Sequence, residues 1–281
     1  MAKILIVGCG DLGTAIAKRL VDEEHEVIGL RRSVQNLPRM QMLQGDVTDV
    51  GSLKALVGLM PEVVIYCVAA SSQTDATYQA QYVTGLKNIL ASQSRNQQLQ
   101  HVFFVSSTRV YGQETTTLLD ENISALPADF GGERLLEAEY LLKTLPCNAT
   151  ALRLSGIYGP GRLRMINLAK SPQQWPSQNS WSNRIHRDDA ADFVVFLVQR
   201  ILTEQAIAPC YIVTDSKPVS QYEVLTWLAK KMQLALPANS SAEAQGGKRL
   251  SNQLMLSSGF QLKYPDFSVG YQALLDEITT A

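Results

Sequence analysis

A short apolar run, Ile4–Val7, leads straight into Gly8-Cys9-Gly10-Asp11-Leu12-Gly13, after which Leu12, Ile16 and Leu20 recur at helical spacing. A strand that ends in G-x-G-x-x-G and opens a helix constrains this chain more than any other feature. Gly8 allows the tight turn, Gly10 lets backbone approach a pyrophosphate, and Gly13 lets the helix pack closely on the strand. The helix N-terminus then offers N–H groups and partial positive charge to phosphate. Gly8, Gly10, Asp11, Leu12 and Gly13 are therefore the expected phosphate cradle of a dinucleotide.

The end of the second strand bears on which dinucleotide it is. An Asp or Glu there holds the ribose 2′-hydroxyl of NAD. This chain has Leu30-Arg31-Arg32-Ser33, and its nearby acids, Asp22 to Glu24, precede the strand. A guanidinium pairs with a 2′-phosphate. Arg31 and Arg32 thus favour NADP, with NAD as the alternative; the bland reading makes both solvated turn residues.

Further apolar runs at Glu26–Leu30, Gln41–Leu43, Val63–Tyr66, Val102–Val105, Thr150–Leu154 and Tyr211–Val213 alternate with helical patterns. A polar helix is expected from Asp75 to Gln97. That alternation predicts an α/β fold, a Rossmann-type doubly wound parallel sheet with a smaller C-terminal substrate lobe. The expected domains are 1–155 plus 185–215 for the dinucleotide and 156–184 plus 216–281 for the lobe. Lys170–Asn183 reads as a long loop and Asn239–Gly247 as a flexible stretch.

With 281 residues, 46% hydrophobic, and a formal net charge of −1, the chain can bury a large core and carries no basic balance suited to nucleic acid. Cys9, Cys67, Cys147 and Cys210 lack metal-ligand spacing, as do the three histidines, so no metal is expected. No apolar segment reaches the length of a membrane span. A cytoplasmic, membrane-free protein is the expectation.

Several later segments resemble the extended short-chain dehydrogenase/reductase superfamily, which holds nucleotide-sugar epimerases and dehydratases. Gly45-Asp46-Val47-Thr48-Asp49 is similar to the stretch whose Asp contacts adenine, and Val68-Ala69-Ala70 to the one lining the cofactor after the fourth strand. Ser106-Ser107-Thr108-Arg109-Val110-Tyr111-Gly112 matches the family's Ser-rich strand end and sets Ser107 at the catalytic serine. Leu152–Gly161 resembles the segment passing the nicotinamide, and Ile185–Ala190 a later signature. The resemblance implies cofactor contacts from Asp46, Val47, Val68, Ala69, Ala70, Ser106, Gly156 and Ile157. It also implies a small-molecule substrate such as a nucleotide sugar, and a homodimer paired through the helices near Asp75–Gln97 and Phe130–Leu142.

The family's Tyr-x-x-x-Lys pair is replaced here by Phe130 and Arg134, and its structural asparagine falls at Tyr82. Phe130 has no proton to give, and Arg134 stays charged, although it can still bond a ribose. Ser107, Arg134 and Tyr111 are the expected catalytic set, with Tyr82 and Tyr158 as further candidates for the missing acid. Each of these tyrosines can equally be a packing residue. Trp175 and Trp181 suit base stacking or loop anchoring. Arg162, Arg164, Arg184, Lys248 and Arg249 suit an anionic substrate or plain solvation, and His186 suits a structural role better than proton transfer. Two readings stay open: an epimerase, dehydratase or oxidoreductase, and a non-catalytic NADP(H) sensor.

Overall fold

The computed structural model describes residues 1–33, 36–113, 117–238 and 240–280. In chain order the elements are β1 (Lys3–Val7), α1 (Asp11–Asp22), β2 (Glu26–Arg31), β3 (Gln41–Gln44), β4 (Val63–Tyr66), α2 (Asp75–Tyr78), α3 (Gly85–Ser92), β5 (His101–Ser107), β6 (Leu118–Leu119) and α4 (Phe130–Leu142). Then come β7 (Asn148–Leu154), β8 (Gly156–Tyr158), α5 (Arg164–Ala169), β9 (Trp181–Ser182), β10 (Arg184–His186), α6 (Arg187–Leu202) and β11 (Cys210–Val213). The chain closes with β12 (Val219–Ser220), α7 (Gln221–Lys231), β13 (Arg249–Leu250), α8 (Gln253–Ser257) and α9 (Phe267–Thr280).

Seven strands form one sheet in the order β11-β7-β5-β4-β1-β2-β3. The β1–β2, β1–β4, β2–β3 and β4–β5 pairs are parallel, with Val7 opposite both Leu30 and Tyr66, and Tyr66 opposite Phe104. The central strands are buried on both faces, which is why they read as unbroken apolar runs. The order reverses at β1, whose neighbours are β2 on one side and β4 on the other. In doubly wound folds, ligands bind beyond the strand C-termini at such a switch point. This is the Rossmann-type α/β sheet expected from the sequence.

The chain divides into two compact units. The first comprises Met1–Gly112, Ala125–Arg153 and Ala191–Tyr211; the second comprises Gln113–Ser124, Leu154–Ala190 and Ile212–Ala281. The sequence reading puts 113–124, 154–155, 185–190 and 212–215 with the dinucleotide domain, whereas the second unit holds them. For 113–124, two long-range pairings that no local pattern reveals account for the difference. β6 runs parallel to β13, and the Glu121 carboxylate accepts from the Ile212 N–H at 2.6 Å. The second unit has its own core, in which Ile166, Trp175, Tyr222, Leu225, Phe267 and Tyr271 are buried together.

The expected helix from Asp75 to Gln97 ends at Ser92 and is not regular. A π turn, Gln79–Thr84, joins α2 to α3. Gln81 and Val83 are both buried although a regular helix would set them on opposite sides. Among the described residues no helix is long and apolar enough to cross a membrane.

Candidate functional site

The three glycines of the first turn have different reasons to be glycine. Gly8 has φ +96°, and a Cβ there would lie 2.6 Å from the Cys67 carbonyl oxygen. A Cβ on Gly13 would lie 2.3 Å from the Gly8 carbonyl oxygen. These two are demanded by the fold. A Cβ on Gly10 would meet nothing within 4 Å, so the protein itself does not require a glycine at that position. Gly10 also N-caps α1 without any side-chain hydrogen bond. Open space in front of a helix start that no side chain caps fits a pyrophosphate. Gly8, Gly10, Asp11, Leu12 and Gly13 would hold it.

Arg31 ends β2, half-exposed, and Arg32 is exposed beside it. Val34 and Gln35, which continue this turn, lie outside the described residues. The Asp46 carboxylate accepts from the Thr48 N–H at 2.9 Å and its hydroxyl at 2.7 Å. Those bonds, with the Arg32 charge, hold it below the usual carboxylate range, the Thr48 N–H contributing most. Val47 is buried, and its carbonyl accepts from Asn88 Nδ2 at 2.8 Å.

Beyond β4 the Val68–Ala70 segment is tied to the π turn. The Ala70 N–H donates to the Tyr82 hydroxyl at 3.2 Å, and the Ser71 N–H to Gln81 Oε1 at 2.8 Å. The Tyr66 hydroxyl bonds the Gln81 carbonyl from below. Ala69 is exposed, while Val68 and Ala70 are half-buried.

Ser107 ends β5 half-buried, and its Oγ accepts from the Arg109 N–H at 3.2 Å. Its neighbour Ser106 is buried and donates to Glu139 Oε1 at 2.6 Å. Arg153 binds the same carboxylate through Nε (3.1 and 3.2 Å) and Nη2 (2.6 Å), and donates to the Tyr111 hydroxyl at 2.6 Å. Tyr111 is completely buried. The expected roles of Ser106 as a cofactor contact and Tyr111 as a catalytic group do not match these positions. Both side chains belong to an internal network: alternation along β5 turns Ser106 inward and Ser107 the other way, while Tyr111, beyond the strand, is held by Arg153.

Phe130 and Arg134 open α4. Arg134 donates from Nε and Nη2 to Asp75 (2.7 and 3.1 Å) and from Nη1 to Glu137 (2.9 Å), so both edges of its guanidinium are engaged. Sequence reasoning missed Arg109. Its guanidinium lies 5.3 Å from the Phe130 ring and 5.2 Å from the Tyr78 ring. Nε bonds both oxygens of Asp129 at 2.9 and 3.1 Å, and Nη1 bonds Gln73 Oε1 and the Tyr78 hydroxyl, each at 2.8 Å. A Cβ on Gly131 would come within 2.4 Å of Arg109 Cζ, so that glycine makes room for the arginine. The signal was an arginine inside the Ser-rich motif with Gly131 next to Phe130.

In the second unit Gly156 and Ile157 lie on β8, paired in parallel with Arg184 and Ile185 of β10. Trp175 anchors its loop, with Nε1 donating to the Leu168 carbonyl at 3.1 Å. Trp181 is covered by the Arg249 guanidinium at 5.0 Å. His186 is buried between Tyr158 and Tyr264 and accepts from the Asp188 N–H at 3.2 Å.

A glycine turn after β1 at the switch point of a parallel sheet, with a serine ending β5 two strands away at the same C-terminal end of the sheet, defines a dinucleotide-binding α/β protein. The model of the NAD dependent epimerase/dehydratase family matches residues 4–207, and the chain belongs to that family. Among solved structures, a Methylobacillus flagellatus protein assigned as an NAD-dependent epimerase/dehydratase is 49% identical, with 99% of each chain covered and a TM-score of 0.90. The Bordetella bronchiseptica enzyme WbmG, in complex with NAD and UDP, is 19% identical over 99% of this chain and 96% of its own, at TM-score 0.82. The Thermus thermophilus UDP-glucose 4-epimerase, in complex with NAD, is 16% identical over 95% and 96%, at TM-score 0.76. These last two share the fold. No protein of curated function matches the chain.

Proposed function

We propose that this protein is an NADP(H)-dependent enzyme of the epimerase, dehydratase or oxidoreductase type, acting on a nucleotide sugar or a small carbonyl or hydroxyl compound. The observation that carries the reading is the space in front of Gly10, at the same sheet edge as Ser107. When bound there, a nicotinamide supplies or accepts hydride. Ser107 Oγ, already fixed by the Arg109 N–H, donates to the reacting oxygen. Arg31 and Arg32, where an acid would hold a ribose hydroxyl, support NADP over NAD. Relatives with UDP or UDP-glucose in their names suggest which sugars to try first. The second reading, a non-catalytic NADP(H) sensor, is favoured by one observation: Arg134 is occupied by Asp75 and Glu137 beside an aprotic Phe130.

Calorimetry and turnover test the reading together. Wild type should bind NADPH more tightly than NADH, Arg31→Asp should narrow or reverse the gap, and Gly10→Val should abolish binding without unfolding. Ser107→Ala should slow turnover about 10²-fold and leave cofactor affinity unchanged. Equal NADPH and NADH affinities in wild type and Arg31→Asp would remove the NADP assignment. Turnover undiminished in Ser107→Ala would remove the catalytic one. The reading also includes a homodimer formed through α2–α3 and α4, a role suited to the exposed Tyr140. Light scattering that finds only monomer at micromolar concentration would sink that part.

A further inference from the structure

Moving hydride to or from a carbon that bears oxygen obliges a proton to move at that oxygen, and Phe130 has none to give. The tyrosines of the first unit that lie near the site differ in what their hydroxyls already do. Tyr66 is spent on the Gln81 carbonyl. Tyr78 donates to Gln73 Oε1 at 3.0 Å and accepts from Arg109. Tyr111 is sealed in the interior. Tyr82 is different: its oxygen accepts from the Ala70 N–H at 3.2 Å, its own proton goes to no group among the described residues, and its side chain is half-buried.

Its location fits the task. The Tyr82 ring stands edge-on to Phe104 of β5, with centroids 6.4 Å apart. Phe104 pairs with Tyr66 of β4. Ala70 lies four residues beyond Tyr66, and Ser107 three beyond Phe104, so the Tyr82 hydroxyl and Ser107 project past neighbouring strands by similar lengths of chain. The π turn carries Tyr82, and π turns occur disproportionately at functional sites. Resting on the enzyme reading above, we infer that Tyr82 is the proton donor of this site, standing in from the helix after β4 for the group that Phe130 lacks.

In the reducing direction the Tyr82 O–H bond breaks and an O–H bond to the substrate oxygen forms. A bound nicotinamide would supply the hydride for the adjacent carbon, and the Tyr82 phenolate would recover a proton from solvent. Burial pushes the Tyr82 phenol up, so it holds its proton at neutral pH; the Ala70 N–H and the Arg109 charge act against that rise, and Tyr78 and Cys67 add to it.

The test uses the full chain with 3-fluorotyrosine at position 82, and separately Tyr82→Phe. Saturation with NADPH should shift the fluorine resonance at position 82. The acidified fluorophenol should move the alkaline limb of the pH–rate profile downward. Tyr82→Phe should lower kcat by about 10²–10⁴-fold, leaving NADPH affinity and thermal unfolding close to wild type. A resonance unmoved while calorimetry reports bound NADPH overturns the inference and spares the binding reading. Full turnover in Tyr82→Phe overturns it and spares the enzyme reading. Failure of wild type to bind either NADPH or NADH removes the enzyme reading itself.

Discussion

Arg153 and Arg184 meet the same difficulty with opposite outcomes. Each is a buried guanidinium accompanied by a carboxylate and a tyrosine. In the first unit the Glu139–Arg153 pair is closed: Ser106 and Arg153 supply the carboxylate with donors, and Tyr111 takes the remaining Arg153 contact. In the second unit Arg184 reaches Ser182 Oγ at 2.6 Å, but Arg184 Nη1, Asp215 Oδ2 and the Tyr158 hydroxyl are buried without a hydrogen-bond partner. A closed network fixes geometry, whereas an unmet buried charge responds by shifting its protonation. Burial drives Asp215 up to about 7, against the pull of Arg184. The closed centre adjoins Ser107 and braces the strand end that presents it.

The sharpest way to break this comparison is Glu139→Gln. It leaves the Arg153 cation buried without a counter-ion, which should cost about 3–5 kcal/mol, seen as a lower denaturant midpoint at unchanged slope. A loss under about 1 kcal/mol would mean the pair behaves like a surface contact. A smaller effect is expected from Asp215→Asn, and its sign depends on pH. A carboxyl whose folded pKa is raised from 3.8 to about 7 contributes stability that is fully present below the lower value and lost as pH rises through the upper one. The substitution should therefore raise the melting temperature at pH 8 and flatten the decline between about pH 4 and 7. The buried His101, lowered to about 4 by desolvation, works in the other direction, losing its contribution as pH falls from 6.5 toward 4. A slope due to His101 should survive in Asp215→Asn. A pH–melting curve identical in wild type and variant would refute the Asp215 assignment.

The same division explains what the sequence could reveal. The strands were legible because burial on both faces writes itself as consecutive β-branched and aliphatic residues, as in Val63–Tyr66. The glycine turn was legible because Gly8 and Gly13 answer to local backbone geometry. The position of Ser107 at the end of β5 was legible from its motif. The π turn escaped because nothing in Gln79–Thr84 differs in composition from a regular helix. The partners of Arg109, Arg134 and Arg153 escaped because each pairs across a gap in sequence: Arg109 with Asp129, Arg134 with Asp75, Arg153 with Glu139. Charges of both signs recur so often along a chain that pattern alone cannot match them. The swap of 113–124 into the second unit escaped for a similar reason, since β6 is two residues long and its partner β13 lies far downstream.

The π turn also makes chain length a determinant of chemistry. Each residue rotates a regular helix by about 100°, and a π turn accommodates one residue more than regular winding would. Deleting a single residue between Gln79 and Thr84 would therefore restore ordinary winding and leave α2 and α3 facing as they do now, whereas the same deletion in a regular helix would swing its two halves by about 100°. Asp75 would keep Arg134 and Tyr78 would keep Arg109, while Tyr82, inside the turn, would lose the winding that holds its hydroxyl at the Ala70 N–H. Relatives one residue shorter in this turn would thus keep the same flanking contacts and yet present a different side chain toward Ala70, a divergence that substitution-by-substitution comparison would not register.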